Sequence, residues 1–377
     1  MLQQAPALHG HDLFGQPLAA PRRGAMSDRF LVPPFSVFNA REGYWQERKR
    51  AWIAYGIQSE LGRSGVTPGG APMPLSGDYE ETKGEEREHR ASIFDPVLCE
   101  LAYRWFCPAG GRILDPFAGG SVRGVVAGLM GRRYLGIELR PEQVEANELQ
   151  ADAIFAGSED PAPLWYPGDS SLVVPGLSRE YDFLFSCPPF GDLERYSDDP
   201  ADLSTMSWEA FLAAYREIIA QAAAKLQPDR FACFVVGDFR DERGRYRNFP
   251  GATIDAFLDA GLSLYNEAIL ITSVGSLPIR IGHQFLASRK LGKTHQNVLV
   301  FARGDGKRAA AACEAAQAAQ ESRAEAEQAA LLAASARFVA VEEPGTEELE
   351  ELEHEPVALE MPAGEPAEIA AGQLALF

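Results

Sequence analysis

The chain has 377 residues, 35 Lys and Arg against 54 Asp and Glu, a formal net charge of -19, and 46% hydrophobic residues. That length holds one decorated α/β domain or two to three smaller ones. No run approaches the roughly 18 apolar residues of a membrane span, and on its face the charge argues against a phosphate-rich partner. Five cysteines without a CxxC pair argue against a disulfide framework and a zinc site, so a reducing cytoplasm is the expected compartment and no metal is expected. The opening MLQQAPALHGHDLFG lacks a basic start followed by an apolar run, so no secretory signal is expected. The charge is uneven: residues 304–377 hold 16 acidic and 4 basic residues, a net of -12, which leaves -7 on the first 303.

Residues 1–29 are rich in Pro, Gly and Ala without a period and are expected to be disordered. Residues 30–90 form an accessory region. It opens extended, turns helical, and interleaves Tyr44, Trp45, Trp52 and Tyr55 with Arg48, Lys49 and Arg50 before a Gly/Pro-rich, then charged, loop over 63–90. From 91 to 303 strand and helix patterns alternate. Helical spacing over Asp95–Phe106 precedes a strand at Arg112–Leu114 and a small-residue helix at Ser121–Met130. A strand at Arg133–Leu139 leads to a helix at Pro141–Ala153, with Pro at its first position. A strand at Leu164–Tyr166 is followed by a continuous apolar strand at Tyr181–Phe185 and an amphipathic helix at Ser207–Leu226, capped by Ser207. A strand at Phe231–Val236, a helix at Ala252–Ala260 and strands at Leu262–Thr272 and Asn297–Phe301 complete the series. This alternation predicts an α/β fold with a doubly wound, mostly parallel sheet. With no helix read between the last two strands, one of them is expected to run antiparallel. Residues 304–377 form an acidic Ala/Glu-rich tail, partly helical near its start and largely disordered beyond.

Ligands of open α/β sheets bind at the carboxyl ends of the strands. Four such ends carry acidic or Pro/Gly signals here: Asp115, Glu138, Asp169 and Cys187-Pro-Pro-Phe. Gly119 and Gly120 let the backbone approach a ligand closely. A carboxylate closing the second strand suits a ribose diol, and Asp169 suits an adenine amino group. The 23 residues from Asp115 to Glu138 fit one βαβ unit. The GxGxxG fingerprint is absent, which disfavours a pyrophosphate-containing cofactor and favours a nucleoside without phosphates.

LDPFAGGS (114–121), GIEL (136–139), GDS (168–170) and SCPPF (186–190) resemble the ordered motifs of S-adenosylmethionine (SAM)-dependent DNA amino methyltransferases, which act on adenine N6 or cytosine N4. ASIFDPVLCELAYRWF (91–106) resembles the family's helix before the first motif. The likeness is to bacterial and phage site-specific methylases of the restriction-modification kind and runs over about residues 91–303. It implies a Rossmann-like, seven-stranded methyltransferase sheet with one antiparallel strand. It also implies a cofactor site: Phe94 and Asp95 beside the methionine end; Asp115, Pro116, Phe117, Ala118, Gly119 and Gly120 along the backbone and methionine part; Glu138 on the ribose; Asp169 and Ser170 on the adenine. Ser186, Cys187, Pro188, Pro189 and Phe190 would form the catalytic loop. There the residue before Pro-Pro and the first Pro carbonyl accept hydrogen bonds from the target amino group, and Phe190 stacks on a base flipped out of the duplex. The family expects Asp, Asn or Ser where Cys187 stands, and a thiol is a weak acceptor. Either Ser186 or a backbone carbonyl substitutes, or the chemistry differs. Cytosine-C5 methylation through Cys187, RNA methylation, and non-catalytic DNA and clamp binding on the same fold are the alternatives. Asp238, in VVGDFRDERGRY, resembles a loop that the phage enzymes share.

Ala268–Arg303 contains no acidic residue over 36 positions and holds Arg280, Arg289, Lys290, Lys293 and Arg303, with His283 and His295. Arg240, Arg243, Arg245 and Arg247 cluster just before it. This predicts a basic cleft for double-stranded DNA beside the catalytic edge. Recognition is expected from residues 30–90, 239–250 and 274–297. The terminal Gln373-Leu374-Ala375-Leu376-Phe377 resembles the peptide by which bacterial proteins bind the DNA sliding clamp. Gln373, Leu374, Leu376 and Phe377 would be its contacts.

Overall fold

The structure is a computed structural model that describes residues 26, 30–58, 67–68, 94–178, 180–275 and 277–319. These lie in one compact unit, Met1–Glu325. The readings for most of 1–29, for most of 59–93 and for the tail beyond 319, including the terminal pentapeptide, fall outside the described residues.

Eight strands form one sheet: β1 (Val37–Asn39), β2 (Arg112–Asp115), β3 (Arg133–Glu138), β4 (Leu164–Pro167), β5 (Tyr181–Ser186), β6 (Leu226–Val236), β7 (Ser263–Ile271) and β8 (His295–Arg303). Their spatial order is β1-β7-β8-β6-β5-β2-β3-β4. All neighbours pair in parallel except β8, which runs antiparallel to both β6 and β7. The expected Rossmann-like, doubly wound sheet with one antiparallel strand is therefore present, extended by an eighth strand, β1, at its edge. That strand comes from the accessory region and pairs Val37 with Ile269 and Asn39 with Ile271.

The helices are α1 (Gly43–Ile53), α2 (Pro96–Phe106), α3 (Val122–Leu129), α4 (Pro141–Phe155), α5 (Ser170–Gly176), α6 (Trp208–Lys225), α7 (Phe249–Asp259) and α8 (Leu277–Ser288), followed by helical residues 306–319. Local chemistry sets their starts. Asp95 accepts from the Val97 amide (2.9 Å) ahead of Pro96, and Ser207 accepts from the Ala210 amide (3.3 Å). Two helices depart from expectation. The short α5 follows Asp169 directly, and α8 stands between the last two strands, where none was read. Those strands are antiparallel all the same, because α8 is an excursion and not a crossover.

Alternation along the strands sorts side chains onto two faces. Phe183, Phe185, Phe231, Cys233, Val235, Val298 and Val300 join one apolar cluster with residues of α1–α4. Leu184, Ala232, Phe234, Val236, Leu299 and Phe301 join another with residues of α5–α7. Ala309 and Cys313 of residues 306–319 are buried in the first cluster, so the packed structure continues past Arg303. No described helix is long and apolar enough to cross a membrane.

Candidate functional site

Sequence order runs outward from β2 through β3 to β4 and then returns to β5 on the other side of β2. The carboxyl ends of β2 and β5 thus flank a topological switch point, where such sheets form a crevice. A cavity of about 880 Å³ opens there, lined from the ends of β3, β5, β6 and β7 and from the loops between.

Asp115 closes β2 and is fully buried. One oxygen accepts from Arg123 Nε (2.5 Å) and the Tyr134 hydroxyl (2.7 Å); the other accepts from Ser186 Oγ (2.5 Å) and the Phe117 amide (3.1 Å). Burial pushes the Tyr134 phenol well above its usual value, so it remains a donor. Arg123, on α3, also donates to the Phe117 and Ala118 carbonyls (2.6 and 2.7 Å). Asp115 is thus the post to which the Pro116–Gly120 loop is tied. It does not line the cavity, and neither do Ala118 and Ser186; Pro116, Phe117, Gly119 and Gly120 do.

Glu138 closes β3 and faces the cavity. Its oxygens accept from the Gly119 amide (2.8 Å) and the Arg140 amide (3.0 Å). Each keeps a lone pair for a further donor. Burial raises its carboxyl pKa despite those two amides. Gly119 adopts φ +52, and a Cβ there would meet nothing within 4 Å, so the bare backbone borders open cavity. Asp169 caps α5 through the Ser171 amide (2.8 Å) and lines the cavity. Ser170 lines it too and donates to the Pro116 carbonyl (2.6 Å).

Cys187, Pro188, Pro189 and Phe190 leave β5 along the facing wall. The Phe190 ring sits edge-on to Phe249 at 6.0 Å. Gly191 follows at φ +55, where a Cβ would lie 2.5 Å from the Phe239 ring. A side chain there would adopt a strained left-handed conformation and have to displace the Phe239 ring. Asp238, after β6, lines the cavity and accepts from the Phe239 and Phe249 amides (3.0 and 3.2 Å), which ties this loop to the start of α7.

The accessory region supplies a third wall. Glu100, fully buried on α2, accepts from Arg48 Nε (2.6 Å), Trp52 Nε1 (2.8 Å) and Arg104 Nε (3.0 Å). Asp95 accepts from Trp45 Nε1 (3.2 Å) and pairs with Lys49 (3.4 Å). These bonds fix α1 so that Gln46 and Lys49 line the cavity beside Phe94 and Asp95.

The expected basic residues divide. Arg240 and Lys293 line the cavity. Arg243 is exposed, Arg245 is paired with Asp241 (3.0 Å), and Arg247 lies over the Trp208 ring (5.1 Å). Arg289 lies over Phe285 (5.2 Å), Lys290 packs on Gly244, and Arg280 belongs to α8. Sequence reasoning missed Arg123, Tyr134, Glu100 and α1's place in the wall. The signal for Arg123 was a lone charge in an otherwise small, apolar helix, VRGVVAGL. Among the described residues, no group of three or more His, Cys, Asp or Glu is placed to hold a metal.

No protein-family model matches the chain, and no curated protein matches it. Solved structures do. TrmN from Thermus thermophilus is 18% identical, with 56% of this chain and 49% of that chain covered and a TM-score of 0.39. This chain therefore spans about half the length of TrmN. A methyltransferase from Pyrococcus furiosus is 14% identical over 69% of this chain and 100% of that one, TM-score 0.38. The magnesium protoporphyrin IX methyltransferase of Synechocystis, with bound SAM, is 13% identical over 55% and 76%, TM-score 0.34.

Proposed function

We propose that this protein is a SAM-dependent methyltransferase and, more particularly, one that methylates an exocyclic amino group of a DNA base. The observation that carries the reading is the order of the cavity wall. A ribose-type carboxylate (Glu138), an adenine-type acid (Asp169) and bare Gly119 backbone face Cys187-Pro-Pro-Phe across one cavity. The donor set fits the cofactor. Glu138 has lone pairs left for a diol, Asp169 lines the next strand end, Phe117 and Ile137 give apolar cover, and the loop after β2 carries no GxGxxG pyrophosphate fingerprint. Bound SAM would supply an electrophilic methyl group.

The chain's own residues do the rest. The Pro188 carbonyl and Cys187 accept hydrogen bonds from the target amino group and turn its lone pair outward. Phe190 stacks on the extruded base and offsets part of the few kcal/mol that unstacking costs. Ser186, tied to Asp115, sets the position of the loop and does not reach the base. The cavity stands near the upper end of the roughly 300–1,000 Å³ usual for ligand sites, enough for a cofactor and a base together.

The deciding experiment is nucleoside mass spectrometry of DNA from cells with and without the protein, backed by tritiated SAM with assorted duplexes. N6-methyladenine or N4-methylcytosine is expected, and label confined to RNA or protein refutes the reading. A second reading, cytosine-C5 methylation, rests on the Cys187 thiol lining the same cavity. Retained activity in Cys187→Ala excludes that covalent route. We also propose that the terminal Gln373–Phe377 peptide docks on the sliding clamp. Deleting the tail is expected to weaken clamp binding and leave basal methylation of short duplexes intact; unchanged clamp binding refutes it.

A further inference from the structure

Beside Phe190 stands a pair of cations for which the methyl-transfer chemistry has no use. Phe190 and Lys293 pack over the same residue. A Cβ on Gly237 would lie 3.3 Å from Phe190 Cε2 and 3.7 Å from Lys293 Cε. Lys293 Nζ is 3.4 Å from His295 Nε2 and 5.8 Å from the centre of the Tyr246 ring. Arg240 covers the same ring at 3.9 Å and donates to the Gly244 carbonyl (2.8 Å). Both cations line the cavity.

Among the described residues neither makes an ion pair within 4.0 Å, whereas Arg245, on the same loop, is paired with Asp241. The one acid near Lys293 is Asp238, whose carboxylate holds two backbone amides. Burial lowers the Lys293 pKa; Asp238 opposes this and Arg240 adds to it. Burial, with the Lys293 charge, also lowers the His295 pKa, so that ring is neutral at pH 7 and adds no third positive charge. Two neighbouring cations, half withdrawn from water and short of anions, mark a place where an anion is more stable than in bulk solvent.

We propose that Lys293, with Arg240 beside it, is a subsite for one backbone phosphate of the extruded nucleotide. The proposal rests on the DNA reading above. A base stacked on Phe190 carries its sugar and flanking phosphates with it, and Lys293 stands next to that ring at the wall. The subsite would make the enzyme select a polynucleotide over a free base or nucleoside, without reading sequence.

The test uses the full chain and a duplex in which the methylated base has been located. A single uncharged methylphosphonate linkage is placed in turn at each position flanking that base. For Lys293→Gln a roughly ten- to hundredfold rise in KM is expected, with kcat near wild type. The slope of log affinity against log salt should fall by about one. At one linkage the methylphosphonate should cost the wild type that same factor and cost the variant almost nothing. Lys293→Arg, which keeps the charge, should restore the salt slope and controls for folding. The proposal is overturned if each methylphosphonate costs wild type and variant equally. It is also overturned if the substitution changes kcat alone or changes which base is methylated, because Lys293 then touches the base. A wild type that labels no DNA refutes the underlying reading, whereas a labelled wild type without this non-additivity refutes only the subsite.

Discussion

The two halves of the cavity are built on opposite principles. On the proposed cofactor side, at the ends of β2 and β3, the acids are fastened: Asp115 holds four donors and Glu138 two amides. On the proposed base side, around the β6 and β8 loops, cations and rings stand with few opposite charges. The first half is therefore expected to be rigid before any ligand arrives, and the second to be completed by its ligand. The lesson is that similar acids serve unlike ends: Asp115 is scaffold, whereas Glu138 presents itself to a ligand.

The largest effect should come from breaking the scaffold. Asp115→Ala leaves Arg123 buried without its anion, and removing one partner of a buried pair costs about 3–5 kcal/mol. A urea melt should show this loss, and a wild-type midpoint would refute the scaffold role. Glu138→Gln, whose Nε2 cannot accept from one of the two amides, should cost the melt only about 1–3 kcal/mol, less than Asp115→Ala, while weakening SAM binding by roughly ten- to hundredfold in a calorimetric titration. Equal losses in both measurements would erase the contrast between the two acids.

Gly191→Ala forces a side chain into a left-handed conformation, costing about 1 kcal/mol, and presses on the Phe239 ring. Turnover should fall while cofactor affinity holds, because the strain lies on the base side. A matching fall in SAM affinity would mean that the halves are not separate. The smallest effect is a pH dependence. The Glu138 carboxyl is held above its ordinary value by burial, so a diol-accepting carboxylate is lost as the pH falls through that raised value. SAM affinity should begin to drop at a pH above the usual carboxylate range. For folding the sign is reversed: the folded state holds the proton more tightly, so this group's contribution to stability declines as pH rises through the same window. Glu138→Gln should remove both dependences.

The strand ends of the first half were largely legible in the sequence because their signals are local. Apolar runs ending in Asp115, Glu138 or Pro-Gly-Asp169 announce strand ends directly. Less could be read where long-range packing decides. Asp115 looked like a ligand contact, yet its partners Arg123, Tyr134 and Ser186 come from three separate elements. Helix α8 escaped because Pro278 and Gly282 interrupt its pattern, and because its Ile279 and Leu286 point to solvent, 88% and 74% exposed. The extended opening of the accessory region was legible, but nothing in its three residues at β1 shows that they join the sheet edge beside β7. The Phe190–Gly237–Lys293 contact joins three loops far apart in the chain and has no sequence signature.

The short edge strands have a consequence for the protein in crowded solution. One edge is β1, preceded by Pro33 and Pro34; the other is β4, four residues long, with Pro163 before it and Pro167 as its last residue. Proline offers no amide to an incoming strand. Leu164 and Tyr166 are exposed on β4, and a longer edge of that character would invite another chain to add on. Brevity and proline at both borders guard the sheet against edge-to-edge self-association, at concentrations where a bare edge would template aggregation.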